Sequence, residues 1–256
     1  MSEWATIKGQ IIAHKGNSSA FPENTRASIL SAIGLGCGVV EVDVSTTRDG
    51  FSVALHGPSL GETTSGVGKI AETDWDDVKA LKVKSPDGQF STESVPLIEE
   101  LLKEFSESTK WNLDLKSGPP NDRLVATIRQ LGIQGKVIFS GLMAKDIKKV
   151  LAAYPELNVL VNLSRVDLLL LRLRLFDKIY LRLRFRSLKS LPNVIGLNTN
   201  YRFLTERIIK IIHALGLEVW VFTVDDETVM NSLFATEVNS ITTNRPMELI
   251  RGFQLK

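Results

Sequence analysis

Short runs rich in Val, Ile and Leu alternate with longer helical patterns along nearly all of the 256 residues, and this alternation restricts the fold more than any other feature. The apolar runs lie at 10–14, 38–44, 111–116, 136–140, 157–163, 193–198, 218–224 and 240–243. Helical patterns follow at 24–36, 121–131, 144–153, 205–215 and 225–235, with a Leu/Arg-rich stretch after the fifth run and a short helix starting near Pro246. Eight strand candidates, each leading into a helix, over about 250 residues is the arithmetic of an α/β protein of the (β/α)8 TIM-barrel class. A doubly wound open sheet fits the same alternation. No Pro/Ser/Gly-rich linker divides the chain, so one domain is expected over 1–256. The excursion at about 45–110 reads as an insertion after the second strand, with an extra strand at 51–56 and helices near 74–81 and 97–105. An insertion of this kind is where function concentrates on a scaffold.

Helix punctuation agrees with this plan. Pro22-Glu23-Asn24-Thr25 offers cap residues, Gly34 and Gly36 a stop, and Asp225 and Asp226 bring negative charge to a helix start. The net charge of +2 excludes a global field suited to nucleic acid. One cysteine, Cys37, excludes an intrachain disulfide or a multi-cysteine zinc site. The N-terminus lacks a cationic start leading into an apolar run, and no apolar stretch nears the ~20 residues that span a bilayer, so a soluble, cytoplasmic protein is expected.

Side chains alternate along a strand, so Glu41 and Asp43 share one face while Val40, Val42 and Val44 share the other. Asp114 and Lys116 share a face in the same way, and His14 ends the first strand. A parallel barrel gathers the C-terminal ends of its strands at one mouth, which brings these distant residues together. Converging carboxylates require a compensating cation, and an all-oxygen donor set favours Mg²⁺ or Ca²⁺ over zinc. That leaves His14 and His56 free for acid–base work, with Lys15 and Lys116 to offset charge, a combination suited to cleaving a phosphate diester. His213, within Ile211-Ile212-His213-Ala214-Leu215, reads as structural, and Cys37 as a small core residue.

His14-Lys15-Gly16, Pro22-Glu23-Asn24-Thr25, Glu41-Val42-Asp43-Val44, Thr47-Arg48-Asp49-Gly50, His56 with Thr63-Thr64-Ser65-Gly66, and Val95-Pro96-Leu97 resemble, in that order, the signature of the glycerophosphodiester phosphodiesterase family. Asp114-Leu115-Lys116 is similar to its acidic-x-Lys strand, Phe222-Thr223-Val224-Asp225 to its Trp-Thr-Val-Asn strand end, and Thr242-Thr243-Asn244-Arg245-Pro246 to its Thr-Asp-x-Pro close. The resemblance implies a (β/α)8 barrel that splits glycerophosphodiesters into glycerol 3-phosphate and an alcohol with Mg²⁺ or Ca²⁺. It implies His14 and His56 as the acid–base pair, and Glu41, Asp43 and Asp114 as metal ligands. Lys15, Lys116 and Phe222 would meet the substrate.

The chain departs from that pattern at several positions. Lys15 stands where Arg is usual, Gly57 where an Asp follows the second histidine, Asp114 where Glu is commoner, Glu62 where Arg is common, and Phe222 where Trp is found. Two alternatives follow: a lysophospholipase D-type activity on lysophospholipids at the same site, and a catalytically impaired barrel that only binds phosphodiesters. Residues 165–189 carry eight basic and two acidic side chains interleaved with leucines. That pattern reads either as a solvated outer helix or as a basic amphipathic surface for peripheral contact with anionic membrane.

Overall fold

The computed structural model describes residues 10–172, 183, 188, 191, 193–248 and 250. Eight parallel strands close into a barrel: β1 (Gln10–His14), β2 (Val39–Thr46), β6 (Lys110–Leu115), β7 (Val137–Met143), β8 (Asn158–Asn162), β9 (Val194–Asn200), β10 (Glu218–Phe222) and β11 (Ser240–Thr243). Closure comes from β1, which pairs with β2 on one side and with β11 on the other. The connecting helices are α1 (Arg26–Gly34), α3 (Ile98–Phe105), α4 (Asp122–Leu131), α5 (Ala144–Ala153), α6 (Arg165–Arg172), α7 (Glu206–Ala214) and α8 (Glu227–Ala235). The open-sheet alternative is thereby excluded.

Alternation along the strands explains the packing. Val40, Val42, Val44, Leu113 and Val161 point outward and merge with the apolar faces of the helices into the main core. The inward positions begin with an apolar layer, in which Ile12, Val39, Ile138, Leu160 and Trp220 form a cluster of their own. Two residues further along each strand the inward positions turn polar: His14, Glu41, Asn112, Ser140 and Asn198, with Phe222 and Thr242 beside them. The barrel is therefore plugged below and chemically equipped at its C-terminal mouth.

Between β2 and β6 the chain adds β3 (Ser52–Ala54), antiparallel to β2, then 3₁₀ turns at Leu60–Glu62 and Ile70–Glu72, and α2 (Trp75–Val78). An antiparallel hairpin of β4 (Lys82–Lys84) and β5 (Phe90–Ser94) completes the segment. It carries a small core of its own around Val53, Leu60, Ile70, Val78 and Val83. The strand expected over 51–56 shortens to three residues, Leu55 packing into the small core of the insertion and His56 leaving the ladder to reach the mouth. The helix expected near 74–81 is a single turn, since Leu81 joins the turn into the hairpin. The hairpin has no counterpart in the sequence pattern: its strands, Lys-Val-Lys and Phe-Ser-Thr-Glu-Ser, are short, polar and mostly half-buried or exposed.

The basic residues of 165–189 outside α6, from Arg174 to Lys189, lie outside the described residues, as does any membrane contact they would make. Among the described residues no helix is long and apolar enough to cross a membrane.

Candidate active site

The polar end of the barrel encloses a cavity of about 200 Å³ whose walls include His14, Glu41, His56, Asp114, Lys116 and Phe222. Asn112, Ser140, Asn198 and Thr242 complete the lining. Each arrives from a barrel strand, except His56 from the loop after β3 and Lys116 one residue past β6.

Glu41, Asp43 and Asp114 each offer an oxygen within 4.8 Å of the other two. In-register pairing of β2 with β6 produces this, because Asp43 lies opposite Asp114 and Glu41 opposite Asn112. Gly141 allows β7 to approach: with φ at +81°, it leaves free a space in which a Cβ would sit 2.6 Å from an Asp114 carboxylate oxygen. Glu41 and Asp43 are buried, at 3% and 0% exposure. Glu41 Oε2 accepts from the Lys15 backbone N–H at 2.9 Å, whereas Oε1 is buried with no hydrogen-bond partner. Burial, with Asp43 and Asp114 beside it, holds the Glu41 carboxyl well above its ordinary value despite Lys116 and that N–H. Burial also acts against the Asp43 charge, but Lys116, Lys15 and Asn24 outweigh it and hold Asp43 below its ordinary value.

Lys116 Nζ lies 2.9 Å from Asp43 Oδ1 and donates to Asp114. Burial opposes its charge, yet Asp43, Asp114 and Glu41 together raise its pKa. Asp43 Oδ1 is paired with that ammonium. Three clustered carboxylates, with Glu41 Oε1 buried and without a hydrogen-bond partner, fit a hard dication that prefers oxygen donors. Lys15 stands apart from its expected place. Its ammonium is held by both Glu23 oxygens at 3.1 Å, lies 3.5 Å from Asp43, and is not among the described lining of the cavity. A positive φ at Lys15 and Gly16 turns the chain so that the Lys15 N–H points at Glu41.

His14 Nδ1–H donates to Asn244 Oδ1 at 2.6 Å. The amide of Asn244 is oriented by Asp225, which accepts from its Nδ2 and its backbone N–H, each at 2.8 Å. A carboxylate accepts only, so the amide oxygen faces the imidazole and His14 Nε2 carries the lone pair, 3.8 Å from Glu41 Oε2. Burial lowers the His14 pKa, against partial opposition from Asn244 and Asp43. His56 is more open, with 43% of its side chain exposed, and its Nδ1 lies 4.0 Å from Glu62 Oε2. His213 is remote from the mouth and bonds Asn239 at 2.9 Å. Cys37 is buried, which pushes its thiol up to about 11.

Two residues that the sequence suggested only as cap or motif-closing positions belong to the site. Of the cap residues offered by Pro22-Glu23-Asn24-Thr25, Thr25 takes the place, its hydroxyl accepting from the Ser28 N–H. Asn24 instead donates to Asp43 Oδ2 at 2.8 Å and accepts from the Asp43 N–H at 3.0 Å. Asp225 likewise serves Asn244, while Asp226 accepts from the Val229 N–H at the start of α8. The signals were Asn24 directly before a Thr that already caps, and a second Asp beside one that caps.

A structure from Galdieria sulphuraria described as a putative glycerophosphodiester phosphodiesterase superposes with a TM-score of 0.79 at 19% identity, covering 98% of this chain and 100% of that one. An Oleispira antarctica phosphodiesterase, in complex with the product sn-glycerol-3-phosphate, superposes with a TM-score of 0.78 at 26% identity over 96% of each chain. In sequence, the glycerophosphodiester phosphodiesterase of Caldanaerobacter subterraneus subsp. tengcongensis is 25% identical over 251 residues, 95% of this chain and 97% of its own. Fold, site and relatives define the class, a (β/α)8-barrel hydrolase of phosphoric diesters. The sequence model of the Glycerophosphoryl diester phosphodiesterase family matches residues 14–248, and the chain belongs to that family.

Proposed function

We propose that the chain hydrolyses glycerophosphodiesters to glycerol 3-phosphate and an alcohol, using a divalent ion, Mg²⁺ or Ca²⁺, held by Glu41, Asp43 and Asp114. The observation that carries this reading is three carboxylates within 4.8 Å of one another, two of which, Glu41 and Asp114, line a cavity that also receives both histidines. A dication bound there supplies Lewis-acid polarisation and charge compensation for the phosphate. His14 is the base, because its Nδ1–H is committed to Asn244 and burial keeps Nε2 unprotonated. His56, more open to solvent and also in the cavity lining, donates a proton to the leaving alkoxide. Lys116 faces the cavity and offsets charge on the phosphate oxygens, while Lys15 compensates Asp43 from behind. Phe222 is the single apolar side chain in the described lining, and the polar side chains around it offer hydrogen bonds to a glycerol moiety.

Turnover of glycerophosphocholine, measured with and without chelator on wild type, His14→Ala and His56→Ala, tests this. Chelation is expected to abolish turnover and Mg²⁺ or Ca²⁺ to restore it, with each alanine variant losing about 10²–10⁴-fold. Unchanged turnover in chelator would remove the metal from the proposal, and a fully active His14→Ala would remove the base.

A further inference from the structure

A second cleft, of about 260 Å³, opens beside the mouth on the side of the β4–β5 hairpin. Glu23, Glu62, Thr63, Lys84 and Ser18 line it, together with the Ser85–Gly88 turn. It borders the active site through three contacts. Glu62 Oε2 is 4.0 Å from His56 Nδ1, Glu23 holds the Lys15 ammonium, and Ser18 Oγ donates at 3.0 Å to the same Asn244 oxygen that holds His14.

The charges in the cleft are not equivalent. Glu23 is neutralised by Lys15. Lys84 turns its ammonium onto the Gly61 and Glu62 carbonyls, at 2.6 and 3.1 Å. Glu62 has 57% of its side chain exposed, and among the described residues no lysine or arginine nitrogen lies within 4 Å of its carboxylate. On the same wall the Thr63 hydroxyl is without a hydrogen-bond partner. Glu62 also inverts the charge at a position where the family resemblance has Arg.

We propose that this cleft receives the alcohol half of the diester and that Glu62 selects positively charged amino alcohols of the choline or ethanolamine type. The assignment rests on the proposed hydrolysis of glycerophosphodiesters and adds to it the side on which the leaving group lies, next to His56. The Glu62 carboxylate stands beside the imidazole, and Ser18, Thr63 and Ser85 bring hydroxyls to the same lining.

The test is the ratio of kcat/KM for glycerophosphocholine to that for glycerophosphoglycerol, in wild type, Glu62→Gln and Glu62→Lys. A ratio between two substrates cancels any shared effect of Glu62 on His56 or on folding. Exposed ion pairs contribute up to ~1 kcal/mol, so the ratio is expected to fall about three- to fivefold in Glu62→Gln and further in Glu62→Lys. Raising salt should move the wild-type ratio toward that of Glu62→Gln. Hydrolysis of both substrates with one ratio across all three proteins would overturn the assignment while leaving the proposed function standing. Hydrolysis of neither by wild type would overturn both.

Discussion

Replacing Glu41 by Gln is expected to stabilise the metal-free protein while abolishing its response to metal. The three carboxylates present oxygens within 4.8 Å of one another. Two unit charges at that separation repel by about 3 kcal/mol at an effective dielectric constant of about 20. Glu41 meets two such neighbours, and the shared ammonium of Lys116 offsets about one of them, which leaves a net cost of about 3 kcal/mol when Glu41 is ionised. Glutamine removes the charge and keeps an oxygen to accept from the Lys15 N–H. For a chain of this length the gain corresponds to roughly 2–4 °C in Tm per kcal/mol. The pH dependence has a definite sign. The native state raises the Glu41 pKa, so it holds a proton that the unfolded chain releases; the Glu41 contribution to stability is greatest below the ordinary glutamate value of about 4.3 and falls as pH rises through the folded value. In chelator, the Tm advantage of Glu41→Gln should therefore be absent at low pH and grow as pH rises. With millimolar Mg²⁺ or Ca²⁺ the wild type should gain Tm and the variant should not. A variant that melts below wild type at every pH in chelator, yet still gains Tm with metal, would refute the reasoning.

Three further substitutions probe the surroundings of the carboxylates. Lys116→Ala leaves buried Asp43 with Lys15, at 3.5 Å, and the Asn24 amide, and should cost about 3 kcal/mol in chelator, a loss that a dication narrows in a thermal melt. Asn244→Ala releases His14 Nδ1 and should lower kcat about tenfold or more with KM little changed, and the imidazole ¹⁵N spectrum should show a mixture of tautomers. Gly57→Asp, which restores the residue that the family pattern has, should destabilise by about 1–3 kcal/mol and bring no gain in turnover. Gly57 has φ at +54°, and a Cβ there would sit 2.8 Å from Ser45 Oγ. Thermal melts and initial rates on the same preparation check it.

Gly57 also shows how a departure in sequence becomes intelligible in three dimensions. Read alone it is a missing carboxylate beside His56. In the structure the Ser45 hydroxyl, bonded to the Leu55 carbonyl at 2.8 Å, fills the space that a side chain at 57 would need. The β4–β5 hairpin escaped sequence reading for a different reason: its strands are too short and polar to show a period, although Pro86-Asp87-Gly88 carried a turn signal. It is that turn which walls the second cleft.

The order of strands and helices, the inward face of Glu-Val-Asp on β2 and the convergence of His14, Glu41 and Asp114 at one mouth were determined by the sequence itself. They depend on local periodicity and on one topological fact, that parallel barrel strands end together. The partners of those groups were decided by tertiary structure alone. That Lys15 turns to Glu23, that Asn24 braces Asp43, and that Asp225 orients Asn244 against His14 are matters of side-chain reach across residues up to 230 positions apart. Hydrogen bonds select partners by distance and angle to within a few tenths of an ångström, and no pattern along a chain encodes that geometry until the barrel has closed.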